Sequence, residues 1–236
     1  MEPVYKRILL KLSGEVLAGN QNGGIDFDTV NEICRVIKEC ADLGVQIGIV
    51  VGGGNFWRGR SSGTMDRTRA DHMGMLATVM NSLALQESLI SQGNDAVVMT
   101  ALDIQRVAEP FNKDNAVRYM KNGRIVIFGC GTGSPFFSTD SGAALRAAET
   151  EADIFFKATN VDGVFDKDPN KFPDAVKFDT VTHDQLLEMH LGVMDNTAAA
   201  LAQNSNLPVL VFNLNDPENI KKAVLGEKIG TIVKVK

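Results

Sequence analysis

The stretch IVVGGGNFWRGR, Ile49 to Arg60, decides how the rest of the chain is read. An aliphatic run with the length of a buried strand stops at three glycines, then an aromatic pair and two arginines. Glycines let a backbone approach another group closely, and arginines point to an anionic one. Neither GxxxxGK[ST] nor GxGxxG occurs in the chain. A phosphate site here has to be built without either familiar loop.

Working outward, aliphatic segments alternate with amphipathic ones. Strands are expected at 7–13, 45–51, 95–101, 124–129, 153–158, 208–213 and 231–236, and helices at 27–44, 70–92, 113–121, 138–152, 182–191, 195–205 and 217–225. In the first helix Val30, Ile33, Ile37 and Ala41 recur at helical spacing, with Asp28 as the expected cap and Gly44 as the stop. The Asp-, Lys- and Pro-rich region 160–179 reads as a loop or small hairpin. This alternation predicts an α/β fold, a mostly parallel central sheet with helices on both faces, in three layers. Ligands of such sheets sit beyond the carboxyl ends of strands, so the residues after each strand carry the search. Within 70–92, Met73, Leu76, Met80 and Leu83 form one apolar stripe, and Met75, Val79 and Leu89 lie off it. A helix apolar on several faces is buried either in its own core or against another subunit; the sequence leaves both open.

The chain has 236 residues and a formal net charge of −5, which argues against a nucleic-acid footprint. Cys34, Cys40 and Cys130 form no CxxC pair and read as small buried apolar residues of a reducing compartment. No signal-peptide pattern opens the sequence, and no run nears the roughly 20 apolar residues of a membrane helix. A cytoplasmic protein with no membrane partner is the expectation. His72, His183 and His190 have no metal-cluster spacing, the last two fall on a polar helical pattern, and no protein metal site is expected.

Four post-strand segments could carry chemistry. KLSG, Lys11–Leu12–Ser13–Gly14, sets a lysine inside an apolar strand, either at a solvated edge or aimed at transferred phosphate. Gly52, Gly53 and Gly54 could expose N–H groups as an anion nest, with Arg58 forking onto phosphate oxygens. In GCGTGSPFFSTDSGAA, 129–144, alternating glycines precede Phe136 and Phe137, then Ser138, Thr139 and Asp140 open a helix whose N-terminus favours anions. In FKATNVDGVFDKDP, 156–169, Lys157 again interrupts a strand near its end. Asp195 reads as a helix cap. GRSSG, 59–63, fits the GxSxG elbow of hydrolases but lacks the strand before and the helix after its serine, which excludes that reading.

KRILLKLSGE, VVGGGNFWRG, DHMGMLATVMN, GTGSPFFSTDSGAALRAAE, KATNVDGVF and VMD, in this order, resemble the bacterial uridylate kinases, a branch of the amino acid kinase family. The resemblance implies one amino acid kinase domain over 1–236, with an acceptor part in 1–150 and an ATP part in 151–236. It implies ATP- and Mg²⁺-dependent phosphorylation of UMP to UDP in pyrimidine nucleotide biosynthesis, the metal held mainly by nucleotide phosphates. Lys11, Arg58, Asp140 and Asp195 would be catalytic. Lys11, Leu12, Ser13, Gly14, Gly54, Arg58, Lys157, Thr159, Phe165 and Asp168 would bind ATP. Gly53, Asp71, Thr132, Gly133, Ser134, Pro135, Phe136, Phe137, Ser138 and Thr139 would bind UMP, Asp71 by accepting from ribose hydroxyls. Activation by GTP, inhibition by UTP and a homohexamer are also implied. Two departures stand out: Ser134, where relatives usually carry Asn, and GNQNGG, 19–24, only loosely matched to a loop tied to GTP activation. A nucleotide-binding metal-storage relative would not need Lys11, Arg58, Asp140 and Asp195 together, and Asp71 within DHMGM argues against an aspartokinase.

Overall fold

The computed structural model describes residues 2–58, 63–189 and 191–235. The segment 59–62, with Arg60 and most of GRSSG, and His190 lie outside the described residues. Strand β1 (Arg7–Leu12) lies at the middle of the sheet, parallel to β2 (Gln46–Val51) on one side and β6 (Ile154–Thr159) on the other. Beyond β2 come β5 (Ile125–Gly129), β3 (Ala96–Thr100) and the two-residue β4 (Glu109–Pro110). Beyond β6 come β8 (Val209–Asn213), β9 (Thr231–Lys234) and β7 (Thr180–Thr182). Every pairing is parallel except β8 with β9. The nine strands thus form one mostly parallel sheet, as the alternation predicts.

Successive side chains of a strand point to opposite faces, and β1 shows why both faces must be covered. Ile8, Leu10 and Leu12 join one apolar layer with α1 (Phe27–Asp42), α2 (Arg67–Ser91) and α7 (Glu218–Val224). Leu9 joins the other, against α3 (Lys113–Lys121), α4 (Thr139–Glu149), α5 (His183–Glu188) and α6 (Asn196–Asn204). Three layers result. On the first face Tyr5, Phe156 and Phe212 stack edge-to-face, with 5.7 Å between successive ring centroids.

Some expectations need correction. Asp26, not Asp28, caps α1: its carboxylate accepts from the N–H groups of Asp28 and Thr29. An N-cap side chain must precede the first helical residue to reach back-facing donors, and Asp28 is already inside the helix. β4, β7 and a 3-10 turn at Gly14–Ala18 were not legible. Lys11 is not at a sheet edge, since β1 has a neighbour on each side. His183 is not on a polar face: it is buried at the start of α5, with Nε2 2.9 Å from the Leu207 carbonyl. On α2, Met75, Val79 and Leu89 are buried, whereas Met73, Leu76 and Met80 are exposed, so this chain's own core does not enclose that stripe.

Phe156→Ala should cost about 3–5 kcal/mol of stability, because it empties the centre of the aromatic stack between sheet and helices. Urea unfolding followed by circular dichroism checks this; a loss below about 1 kcal/mol would show that the layer repacks freely.

Candidate active site

The carboxyl ends of β1, β2 and β5 meet at one crevice, whose floor is made by glycines, and the end of β6 lies next to that of β1. A Cβ on Gly14 would lie 2.5 Å from the Gly52 carbonyl oxygen and 2.8 Å from the Gly54 nitrogen, so the ends of β1 and β2 touch backbone to backbone. On Gly53 it would lie 2.8 Å from the Gly74 carbonyl, which lets α2 press against the same loop. Gly52 N–H is spent on the Leu12 carbonyl at 3.0 Å. Those of Gly14, Gly53 and Gly54 donate to no described residue. Three close, unspent N–H groups make an anion cradle drawn from two strand ends. Leu12 itself is fully buried, and its carbonyl is taken by the Gly52 N–H.

Lys11 and Lys157 are partners in register on β1 and β6, so their side chains rise from the same face of the sheet. Asp140, in the first turn of α4, answers both. Its Oδ2 accepts from Lys157, and its Oδ1 lies 3.1 Å from Lys11 Nζ, a charge contact whose angle leaves Oδ1 without a hydrogen bond. Ser138 caps α4 by accepting from Ser141 N–H. Asp195 caps α6 by accepting from Ala198 N–H at 3.1 Å, and it also takes the hydroxyls of Ser138 and of Ser141, the latter at 2.9 Å. Both helix N-termini are therefore tied together beside the lysines.

A cavity of about 590 Å³ opens on this floor. It gathers Gly53, Gly54, Arg58 and Asp71 with Thr132, Ser134, Phe137, Ser138 and Thr139, and reaches Asp195. Gly133, Pro135 and Phe136 shape the loop behind it. Gly131 and Gly133 adopt positive φ, which explains two of the three alternating glycines, and so do Cys130 and Phe136, where side chains rarely tolerate it. Phe136 is held there by its N–H donating to Asp71 at 2.8 Å, under the Arg67 guanidinium. Asp71 also accepts from Arg67 Nε at 2.8 Å. Thr132 Oγ1 donates to the Ser134 carbonyl and accepts from Ser134 N–H, both at 3.1 Å. Arg58 pairs with Glu15 at the cavity rim. A second hollow of about 450 Å³ lies toward the other half of the sheet, lined by Thr159, Phe165 and Asp168 together with Leu191, Gly192 and Val193. Asp168 also turns the loop by accepting from Asn170 N–H at 3.0 Å, which lowers its pKa.

Comparison with known proteins adds a finding of a different kind: a model of the amino acid kinase family matches residues 6–213. The chain belongs to the amino acid kinase family. Among solved structures, it is similar to the UMP kinase of Bacillus anthracis, at 38% identity over 98% of this chain and 97% of that one, with a TM-score of 0.95. The UMP kinase of Ureaplasma parvum shares 38% identity over 97% and 98% of the two chains, with a TM-score of 0.92. The uridylate kinase of Archaeoglobus fulgidus shares 32% over 96% and 99%, with a TM-score of 0.76.

The cavity of this family member is also lined by residues that sequence reasoning passed over. Arg67 stands four residues before Asp71, a spacing that could have signalled their pair. Trp57, whose Nε1 donates to the Ala70 carbonyl at 2.8 Å, and Thr78, whose hydroxyl accepts from Cys130 N–H at 2.8 Å, gave no such signal. Among the described residues no cluster of three or more His, Cys, Asp or Glu could hold a metal ion. The three cysteines are free and buried, and burial pushes the thiols of Cys34 and Cys40 up to about 11 and about 12.

Burial pushes the Asp140 carboxyl up, but the charges of Lys11 and Lys157 outweigh it and hold its pKa below the ordinary 3.8. Burial first, and then the Lys11 charge, lower the Lys157 pKa. A depressed carboxylate adds stability that is complete above the unfolded value and lost as pH falls through the folded one. Asp140→Asn should therefore cost about 3–5 kcal/mol at pH 7, leaving the buried Lys157 and the largely shielded Lys11 without their counter-charge. Below pH 3.8 the gap between wild type and variant should narrow. Urea titrations at both pH values test this, and a pH-independent gap would rule out the charge as its cause.

Proposed function

We propose that this protein transfers the γ-phosphate of ATP to UMP, giving ADP and UDP, as a step of pyrimidine nucleotide biosynthesis. One observation carries the reading: a 590 Å³ cavity is lined by Gly53 and Gly54 of the glycine cradle and by Ser138, Thr139 and Asp195, the residues next to or bonded to the helix end that brings Asp140 to Lys11 and Lys157, and a second hollow lies along the ATP part. Phosphoryl transfer needs a donor and an acceptor in line and charge stabilisation between them, with no covalent nucleophile from the protein. The names borne by the similar structures support the same acceptor.

In this reading Lys11, Arg58 and the N–H groups of Gly14 and Gly54 face the transferred phosphate, while Asp140 and Asp195 hold the lysines and helix ends in place. Lys157, Thr159, Phe165 and Asp168 belong to the ATP part, roughly 151–236. Gly53, Asp71 and the segment Thr132 to Thr139 belong to the UMP part, roughly 1–150. Mg²⁺, held mainly by the nucleotide phosphates, would supply charge neutralisation there; the engaged state of Asp140 and Asp195 fits a metal with few protein ligands. No described helix is long and apolar enough to cross a membrane, which is compatible with the cytoplasmic location we assign. GTP activation and UTP inhibition follow from the family resemblance alone.

An ADP-release assay with UMP, CMP and aspartate as acceptors tests the proposal, and UMP should be strongly preferred. A wild-type ratio of UMP to CMP below about tenfold in kcat/KM would exclude readout of uracil by buried hydrogen bonds. Thr132→Val should hurt UMP more than Ser134→Ala, because it also removes both hydroxyl contacts that shape the turn. The opposite order would place the Ser134 hydroxyl on the base.

The same reading includes a homohexamer, supported by the exposed stripe Met73, Leu76 and Met80 on α2. Leu76→Glu should shift sedimentation at micromolar concentration toward smaller species. An unchanged profile would exclude the stripe as an assembly contact.

A further inference from the structure

The residues on the far side of the cradle suggest how it is held open. Asn81 is fully buried on α2, one turn beyond Thr78, and Asn55 follows the three glycines and is nearly as buried. Their amides face each other. Asn81 Nδ2 donates to the Gly52 carbonyl at 2.7 Å and to Asn55 Oδ1 at 2.7 Å. Asn55 Nδ2 donates to Asn81 Oδ1 at 2.9 Å and to the Gly24 carbonyl at 2.7 Å, and Gly24 N–H returns to the Asn55 carbonyl at 3.1 Å. All four amide hydrogens are used, and a Cβ on Gly14 would lie 2.6 Å from Asn55 Oδ1. Two side chains thus join the end of β1, the 19–24 loop, the glycine loop and α2.

Nothing in ordinary packing requires a closed amide pair here. An apolar pair would fill the space, whereas buried amides are retained where every bond is made and a single arrangement is enforced. The Gly52 carbonyl is the acceptor that would otherwise be free to turn. With that carbonyl drawn back onto Asn81, the following N–H groups of Gly53 and Gly54 are the ones left facing the crevice.

We propose that Asn81, together with Asn55, is a positioning residue that fixes the orientation of the Gly52–Gly54 peptides and so pre-forms the phosphate cradle. The inference deepens the phosphoryl-transfer reading and rests on it for its activity arm. Its other arm is binding of magnesium tripolyphosphate, which reads the cradle without any acceptor.

The test compares wild type, Asn81→Ala, Asn81→Asp, Asn55→Ala and Ser88→Ala. Ser88 is an equally buried polar residue of α2 whose hydroxyl donates to Asn31 Oδ1 at 2.7 Å, away from the cradle. The amide variants should lose about 10²-fold in kcat with KM for UMP little changed, as expected when reacting groups are misplaced by about an ångström. Calorimetry should show tripolyphosphate binding about tenfold weaker or worse, equivalent to at least about 1.4 kcal/mol. Asn81→Asp keeps the shape but loses both donors, so it should behave like Asn81→Ala. Ser88→Ala should match wild type in both assays. If Asn81→Ala does not fold, Asn55→Ala reads the same network from the loop side.

Unchanged tripolyphosphate affinity in a folded amide variant overturns the proposal, whatever happens to kcat, and so does an equal loss in Ser88→Ala. Absence of UMP turnover in the wild type overturns the phosphoryl-transfer reading instead, and the tripolyphosphate comparison then decides this inference alone.

Discussion

Two lysines side by side on the two central strands are the constraint on which the rest of the site depends. Lys11 and Lys157 occupy paired positions, and neighbouring strands stand about 4.8 Å apart, so their charges repel in a place that water barely reaches. Such a pair persists only if a carboxylate is delivered to it. Asp140 is delivered by the first turn of α4, where the helix dipole also favours a negative charge. That in turn obliges α4 to dock closely on the sheet. Its buried face is Ala143, Ala144 and Ala147, and a Cβ on Gly142 would lie 3.3 Å from the Gly131 backbone. Small residues along α4 are therefore part of the electrostatics.

The same economy of space governs the glycine floor. A P-loop obtains its donors from one strand-to-helix turn, whereas here Gly14 and Gly54 come from two strands and must meet closer than any side chain allows. The arrangement works only with β1 and β2 parallel and adjacent, since both carboxyl ends must reach the same side. The sheet topology and the anion site are thus one requirement.

How much of this could be read in advance follows from distance along the chain. Strands such as RILLKL and IVIFG announced themselves because every position is apolar and both faces are covered. Two- and three-residue strands such as Glu109–Pro110 carry too little pattern to stand out. The first cap was misplaced by two residues because Asp26 and Asp28 are chemically equal, and only the turn geometry separates them. At the site, the glycines and the strand-interior lysines were visible as violations of a buried pattern. Of their partners, Asp140 was named as catalytic only through the family resemblance and Asn81 was not singled out, because both are joined to them by tertiary contacts between distant segments. Asp195 was visible as a cap, and the structure adds the two serine hydroxyls that tie it to α4.

The electrostatics of the cavity wall complete the argument. In a chain of net charge −5, the arginines on this wall already have carboxylate partners: Arg58 holds Glu15, and Arg67 holds Asp71. An anion entering the cavity gains only the difference between itself and the carboxylate it replaces at such an arginine. That difference favours a phosphate over a simple carboxylate, since phosphate offers more acceptor oxygens and more charge to a planar guanidinium fork. The two pairs are not equivalent. Asp71 is further fixed by Phe136 N–H, so Arg67 and Asp71 act as one rigid wall, whereas Glu15 and Arg58 are both more than half exposed and can part without a buried cost. The exchangeable pair is the one beside Gly54, where the cradle donors stand, and the fixed pair is the one beside the 132–137 loop. One end of the cavity therefore carries a charge pair that can open, and the other a wall that keeps its shape.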